Sequence, residues 1–277
     1  MSDQSFSKPP PPVQHVLITY PAPHVLLVTF NLAKQMNSLP VKVSWQLSEL
    51  FKWFDDEPDL RVGIVTGAGR KAFCAGMDLK EAQTALFEKD ILDRHYPDDG
   101  FAALTNRKGK KPIISAVNGH AHGGGMEIAL NSDLVIASEN ATFSLPDVKR
   151  GTAGLQGGLP RLSKLFGLQR AMLVALTGYV LQAQEAKEWG LVFKVTKQDD
   201  LIDEAVKMAM LIASMSPDSV IASRAGVRAA WEAGTVEEAL EAVLRKYGAD
   251  LFRGENAVEG MRAFAEKRKP IWKGSKL

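Results

Sequence analysis

The sequence predicts an α/β fold in which a core of alternating strands and helices precedes a helical C-terminal region. Short apolar stretches alternate with amphipathic segments over residues 13–199. Over residues 200–269 the apolar spacing is helical only. Alternating strands and helices followed by a run of helices are typical of a packed α/β core with a helical extension. A chain of 277 residues with 45% hydrophobic content can bury a core of that size.

Both ends of the chain differ from this core. Residues 1–12 contain four consecutive prolines and are expected to form a flexible tail. Residues 270–277 form a second tail that ends in Ser275-Lys276-Leu277, the tripeptide of the peroxisomal import signal. We therefore expect a peroxisomal location and an import receptor as a partner.

Composition excludes several other classes. A net charge of +2 gives no reason to expect a nucleic-acid partner. The single cysteine, Cys74, excludes an intramolecular disulfide. No apolar run approaches the roughly 20 residues of a membrane span.

The first elements follow from apolar periodicity and turn residues. Residues 15–19 and 24–31 flank two prolines and predict a β-hairpin. Ser38-Leu39-Pro40 predicts the start of a helix with Ser38 as its cap, running to about Phe54. The apolar face of this helix carries Val43, Leu47, Leu50 and Phe54. Residues 61–66 predict a short strand.

The remaining elements are predicted in the same way. Residues 80–104 have a helical pattern interrupted at residues 96–100. Further strands are predicted at 112–117, 133–137 and 191–195, helices at 126–131 and 184–189, and one or two helices at 159–176. The C-terminal helices are predicted at 201–214, 218–232, 236–251 and 257–267. Their apolar residues suit docking on another subunit as well as on the core.

Two loops follow predicted strands and carry the residues of most interest. Lys71–Leu79 follows the strand ending at Thr66, and Asn118–Glu127 follows the strand ending at Val117. Ligands bind at such strand ends in open α/β folds. The triplet Gly123-Gly124-Gly125 lets the backbone approach a ligand closely, and a helix beginning near it adds a positive dipole end.

One backbone N–H from each loop would form an oxyanion hole, in which each donor is typically worth about 100- to 1,000-fold in rate. The alternative is that the glycines only permit tight packing. Neither loop has the spacing of a phosphate-binding loop or a dinucleotide fingerprint.

Five motifs resemble those of the enoyl-CoA hydratase/isomerase (crotonase) superfamily. They lie at residues 73–79, 118–127, 151–162, 186–192 and 264–268. The resemblance spans about His15 to Lys269. It implies a crotonase-like spiral of ββα turns with a C-terminal helical trimerisation region, and hence a homotrimer or a dimer of trimers.

The resemblance also implies an acyl-CoA substrate whose thioester oxygen meets the amides of Met77 and Gly124. The residues implied to bind the CoA part are Lys34, Met36, Ala75, Asp78, Leu79, Phe264 and Lys267. Phe264 and Lys267 would reach CoA from the C-terminal helix of the same or a neighbouring subunit. No metal is implied, and no cofactor beyond the CoA that the substrate carries.

Two acidic residues bear on the reaction. Glu127 stands where hydratases of the family have a catalytic glutamate, and Asp147 stands in a Pro-Asp pair where they have Pro-Glu. In hydration, one carboxylate takes a proton from water and the other delivers a proton to Cα. Aspartate is shorter by one bond, roughly 1.5 Å. The extra room would suit a branched or hydroxylated acyl chain.

The pair predicts hydration of a 2-enoyl-CoA to a 3-hydroxyacyl-CoA, or the reverse dehydration. A 3-enoyl to 2-enoyl-CoA isomerase, which needs one carboxylate, and a non-catalytic acyl-CoA-binding protein stay open. A dienoyl isomerase is disfavoured because Leu155 stands where its additional aspartate is expected. His120 and His122 would share one face of a strand, but no further ligand stands at metal-binding spacing. The acyl pocket is expected within residues 80–106.

Overall fold

The computed structural model describes residues 6–78, 81, 96–232 and 234–277. Its ten described strands form a six-stranded sheet in the order β1-β2-β3-β5-β7-β10 and a four-stranded sheet in the order β4-β6-β8-β9. The strands are β1 Val16–Ala22, β2 Val25–Phe30, β3 Val62–Gly67, β4 Ala72–Cys74, β5 Ile113–Val117, β6 His120–His122, β7 Leu134–Ser138, β8 Thr142–Ser144, β9 Leu181–Gln182 and β10 Lys194–Thr196.

The six-stranded sheet begins with the predicted hairpin, which is confirmed. β1 and β2 are antiparallel, with Val16 opposite Phe30 and Ala22 opposite Val25. His24 makes the tight turn with a φ of 65°. From β2 onward the strands are parallel. The carboxyl ends of β3 and β5 therefore lie side by side, with Thr66 opposite Ala116.

The four-stranded sheet is absent from the prediction. Its strands have only two or three residues, too few for an alternating pattern to appear. Strand β4 lies inside the first of the two predicted loops, and β6 lies inside the second. These two strands pair in parallel, with Ala72 opposite His120. The second sheet thus holds the two loops together.

The described α-helices are α1 Val41–Asp56, α2 Gly124–Asn131, α3 Gly158–Phe166, α4 Leu168–Thr177, α5 Ala183–Glu188, α6 Leu201–Ala213, α7 Pro217–Glu232, α8 Val236–Val243, α9 Ala249–Arg253 and α10 Glu255–Ala265. A π-helical turn at Leu244–Gly248 joins α8 to α9. The predicted helix at 236–251 is therefore continuous but contains a π turn. Of the predicted helix at 80–104, residue 80 and residues 82–95 lie outside the described residues.

Helix α1 buries the four predicted apolar side chains. Its predicted cap is wrong, because the helix begins after Pro40 and no side chain caps it. The chain before Pro40 is extended instead. Leu39 bridges to Met77, and its N–H donates to the Gly76 carbonyl oxygen over 3.0 Å. Ser38 is thus held ahead of this bridge, too early to cap the helix.

Apolar side chains cover both faces of the six-stranded sheet. The larger core lies among the two sheets, α1 and α2. A second core packs α6 against the opposite face of the sheet, with Ala205 and Ala209 fully buried against Ile64 and Ile114. The C-terminal region is anchored by charge as well. Asp133 forms ion pairs of 2.9 Å with both Arg224 and Arg228 of α7.

Both terminal segments lie against the body where they are described. Phe6 packs 4.7 Å from the ring of Tyr20, and the Ser7 N–H donates to Glu57 over 2.9 Å. The expectation of a loose tail is corrected here, because the apolar ring of Phe6 finds partners. At the other end, the Ser275 hydroxyl bonds to Asp218, and Lys110 donates to the Leu277 carbonyl oxygen over 2.6 Å.

In the part of the chain that the structure describes, no single helix is long and apolar enough to cross a membrane. One pair, Gln198–Ala213 and Pro217–Glu232, meets the criteria only when taken together, and it is bent by 106°.

Candidate active site

The two predicted loops meet beside the parallel strand ends. A Cβ atom on Gly76 would lie 3.1 Å from the Gly124 nitrogen, so the two backbones touch. The φ of +92° at Gly76 is one that residues with a side chain rarely adopt. The Ala75 N–H donates to the Met36 carbonyl oxygen over 3.1 Å, which adds a third segment to this edge.

The amides of Met77 and Gly124 are the two donors predicted for an oxyanion hole. Gly124 is the first residue of α2, where backbone N–H groups have no partner within the helix. Among the described residues, neither of these two N–H groups donates a hydrogen bond. Gly124 is half-buried. Free amides on two loops that touch are what an oxyanion hole requires.

The glycine triplet also serves packing. A Cβ at Gly125 would lie 2.0 Å from the Cys74 carbonyl oxygen, and one at Gly124 would lie 2.6 Å from the Phe101 ring. Gly124 and Gly125 are therefore needed for tight packing, and this does not exclude a role for Gly124 in an oxyanion hole. The Phe101 ring therefore packs against the Cα of Gly124.

Glu127 lies on the first turn of α2 and is buried, with 3% of its surface exposed. The Gly158 N–H at the start of α3 donates to its Oε1 over 2.9 Å. Burial raises the pKa of Glu127 to about 7, and the charge of Asp147 adds to the rise, whereas the Gly158 hydrogen bond opposes it. A carboxyl group with this pKa can hold or release a proton near neutral pH.

Asp147 lies in the 3₁₀ turn Pro146–Arg150, directly after β8. Its Oδ2 is buried and has no hydrogen-bond partner among the described residues. This oxygen would lie 3.8 Å from a Cβ on Gly123, whose carbonyl oxygen accepts from the Glu127 N–H over 3.1 Å. The Asp147 carboxyl group thus lies beside Gly123, close enough for its charge to act on Glu127. A buried, unpartnered carboxylate oxygen is costly, which is typical of a group that meets a substrate.

His120 and His122 share one face of β6, as predicted. His120 Nδ1 and His122 Nε2 both lie within 2.9 Å of the Thr142 hydroxyl. Burial lowers the pKa of His122 to about 4, helped by His120 and by the cations Arg150 and Lys149, so its ring is neutral. Within the described ranges, no group of three or more His, Cys, Asp or Glu side chains could hold a metal ion.

Comparison with known proteins assigns the chain to a family. The profile of the enoyl-CoA hydratase/isomerase family matches residues 22–275. The chain belongs to the enoyl-CoA hydratase/isomerase family.

Several members of the family are similar over almost their full length. A mevalonyl-coenzyme A hydratase of Aspergillus fumigatus is 46% identical over 267 residues, which cover 96% of this chain and 98% of that protein. A carnitinyl-CoA dehydratase of Salmonella agona is 39% identical over 254 residues, covering 90% and 95%. The crystal structure of an enoyl-CoA hydratase from Mycobacterium tuberculosis superposes with a TM-score of 0.84 at 32% identity, covering 94% and 99%.

These comparisons confirm the crotonase-like fold and the predicted superfamily. They also support the assignment of this chain to enzymes that hydrate or dehydrate CoA thioesters. The first two relatives are named for mevalonyl-CoA and carnitinyl-CoA and the third for an enoyl-CoA, so the names do not agree on one acyl group.

The residues that the family resemblance assigns to CoA are spread over three places. Met36 and Ala75 are joined by a backbone hydrogen bond, and Lys34 is exposed on the 3₁₀ turn before them. The Asp78 N–H donates to the Leu39 carbonyl oxygen over 3.2 Å, and Leu79 lies outside the described residues. Phe264 and Lys267 are exposed at the end of α10. Their CoA contacts stay predictions.

Several residues that line the candidate active site were not predicted from the sequence. Gly158 holds Glu127, and Phe101 covers Gly124. Tyr96 packs edge-on against Phe101 with ring centroids 5.9 Å apart. Burial raises the pKa of Tyr96, and Glu81 and Glu127 add to the rise. The only signal for them was general: residues 96–101 lie in the expected acyl-pocket region, and Gly158 lies in a recognised glycine-rich motif.

Proposed function

We propose that this chain interconverts a 3-hydroxyacyl-CoA and the corresponding 2-enoyl-CoA, with mevalonyl-CoA as the hydroxyacyl substrate. The observation that carries the proposal is the pairing of two carboxyl groups with two free amides. Glu127 is buried and held by the Gly158 N–H, and Asp147 presents an unpartnered Oδ2 beside Gly123.

The thioester oxygen would accept hydrogen bonds from the amides of Met77 and Gly124, which lowers the energy of the enolate. In dehydration, one carboxylate removes the Cα proton to form this enolate. The other carboxyl group, protonated, gives its proton to the departing C3 hydroxyl as water leaves. Hydration is the same path reversed. Two neighbouring carboxyl groups favour one protonated and one ionised member.

Mevalonyl is proposed as the acyl group because its substituents match features of the site. The mevalonyl chain carries a methyl and a hydroxyl on C3 and a second hydroxyl on C5. The shorter Asp147 leaves room beside a branched C3. Tyr96 places a phenol in the region expected to hold the acyl chain, where it offers a polar partner. The relatives named mevalonyl-CoA hydratase, at 46% and 43% identity, support this choice.

A substrate panel tests the proposal. Purified protein is mixed with mevalonyl-CoA, carnitinyl-CoA, crotonyl-CoA and a 3-enoyl-CoA, and the conjugated enoyl-thioester absorbance is followed. We expect the highest kcat/KM for mevalonyl-CoA and full activity after dialysis against a chelator. Preference for the 3-enoyl ester would favour an isomerase, and binding of every ester without turnover would favour a non-catalytic binder.

We also propose import into peroxisomes through Ser275-Lys276-Leu277. A fluorescent fusion at the N-terminus should colocalise with a peroxisomal marker, and deletion of the three residues should leave it outside. Because Ser275 and Leu277 contact the body, a receptor would have to release them first. Unchanged peroxisomal location after the deletion would contradict this proposal.

A homotrimer or dimer of trimers is proposed from the exposed apolar residues of the C-terminal helices. Leu240, Phe252 and Phe264 are 57%, 75% and 86% exposed. A single chain that exposes side chains this large invites association. Light scattering coupled to size-exclusion chromatography should give three or six times the 30.2 kDa chain mass, and a monomer would rule the assembly out.

A further inference from the structure

Arg161 lies behind Glu127, on the far side of a pair of glycines. Gly157 precedes α3 with a φ of +95°, and Gly158 begins the helix. A Cβ on Gly157 would lie 2.1 Å from Arg161 Nη1, and a Cβ on Gly158 would lie 2.8 Å from Glu127 Cγ. The glycine pair is thus pressed between a guanidinium on one side and a carboxyl side chain on the other.

The guanidinium ties two segments of the site together. Arg161 Nη1 donates to the Thr105 carbonyl oxygen over 2.7 Å and to the Gly157 carbonyl oxygen over 3.2 Å. Both Nη atoms also lie 3.5 Å from Asn106 Oδ1. Residues 101–106 carry Phe101, whose ring lies against Gly124. One side chain therefore links the turn that holds Glu127 to the segment whose Phe101 packs against Gly124.

The charge of Arg161 is not consumed by an ion pair. Across the described ranges, no carboxylate lies within ion-pair distance of it. Its hydrogen-bond acceptors are two carbonyl oxygens and an amide oxygen. A half-buried cation is a costly way to bind neutral acceptors. The charged groups that act on Arg161 are Arg228, Glu232 and Glu127. The positive charge of Arg161 in turn favours the ionised form of Glu127, across the glycine pair.

We propose that Arg161 is a positioning residue for the reaction. It fixes the Gly157–Gly158 turn, and through this turn it holds the Glu127 carboxylate in place relative to Phe101 and Gly124. The proposal rests on the function proposed above. It assigns Arg161 no contact with the substrate. Its two contributions, a fork of hydrogen bonds and a positive charge, are separable by substitution.

Arg161→Lys keeps the charge and loses the fork, whereas Arg161→Met loses both at similar length. Arg170→Met is the matched control, because the Arg170 guanidinium lies 4.9 Å over the Trp189 ring on the surface. For Arg161→Met we expect kcat to fall about 10- to 100-fold with KM nearly unchanged. Arg161→Lys should lose part of kcat, and Arg170→Met should lose none.

A titration that does not depend on turnover completes the test. Glu127 is identified in the carbon NMR spectrum of carboxyl-labelled protein by its loss in Glu127→Gln. Its midpoint should rise by about 0.5 to 1 pH unit in Arg161→Met and stay in place in Arg161→Lys. A wild-type enzyme inactive on every ester would refute the proposed function but leave this midpoint measurable. An unchanged midpoint and unchanged kcat in Arg161→Met, or a fall in Tm alone, would overturn the proposal.

Discussion

Replacing Glu127 with glutamine is expected to remove activity and to raise the free energy of unfolding above neutral pH. Burial raises the pKa of this carboxyl group from its ordinary value of 4.5 to about 7. One pH unit corresponds to about 1.4 kcal/mol, so ionising the buried group costs the folded protein about 3 kcal/mol. Glutamine carries no charge and retains an oxygen that can accept from the Gly158 N–H.

The sign follows from linkage. A group whose folded pKa is raised contributes stability that is fully present below the unfolded pKa and is lost as pH rises through the folded pKa. The wild type should therefore lose this stability between about pH 4.5 and 7, and Glu127→Gln should not. The difference between the two proteins should grow over this window and then level off near 3 kcal/mol.

Denaturant unfolding at pH 5, 6, 7 and 8 measures this difference, with protein concentration held constant because subunit association adds to apparent stability. Glu139→Gln, at an exposed position, is the control and should track the wild type. Turnover is measured on the same preparations. If the free energies of unfolding of wild type and Glu127→Gln change with pH in parallel, the pKa of Glu127 is not raised by burial. Unchanged turnover would refute the role of Glu127 in proton transfer.

Three further predictions concern the neighbouring groups and the C-terminal anchor. Asp147→Asn should lower kcat about 100-fold or more with KM little changed, as steady-state kinetics would show; equal kcat would contradict its acid/base role. Gly124→Ala should destabilise the protein and abolish turnover, because its Cβ would lie 2.6 Å from Phe101; normal thermal unfolding and activity would contradict this packing. Asp133→Asn should cost about 3 kcal/mol, because it leaves Arg224 and Arg228 unpaired. Burial alone would raise the pKa of Asp133, but the two arginines lower it, so the loss should be complete above the unfolded pKa and fade in acid. A constant difference across pH would argue against the ion pairs.

Much of the architecture was readable because long elements carry their own periodicity. The hairpin, the strands Val62–Gly67, Ile113–Val117 and Leu134–Ser138 and the buried face of the first helix were predicted correctly, since five or more residues are enough to show an apolar pattern. The four-stranded sheet was missed because its strands are two or three residues long. The cap at Ser38 was misplaced because the Leu39–Met77 bridge is a contact between distant segments, which no local pattern reveals.

The same division holds at the candidate site. The sequence by itself determined the family, the two glycine-bearing loops and the candidate acids Glu127 and Asp147, because these depend on residue type and spacing along the chain. Only the tertiary structure decided what surrounds them. Gly158 and Arg161 lie more than 30 positions from Glu127, and Phe101 lies more than 20 from Gly124. The burial that raises the pKa of Glu127 comes from chain segments that meet only after folding, and so it cannot be read from spacing alone.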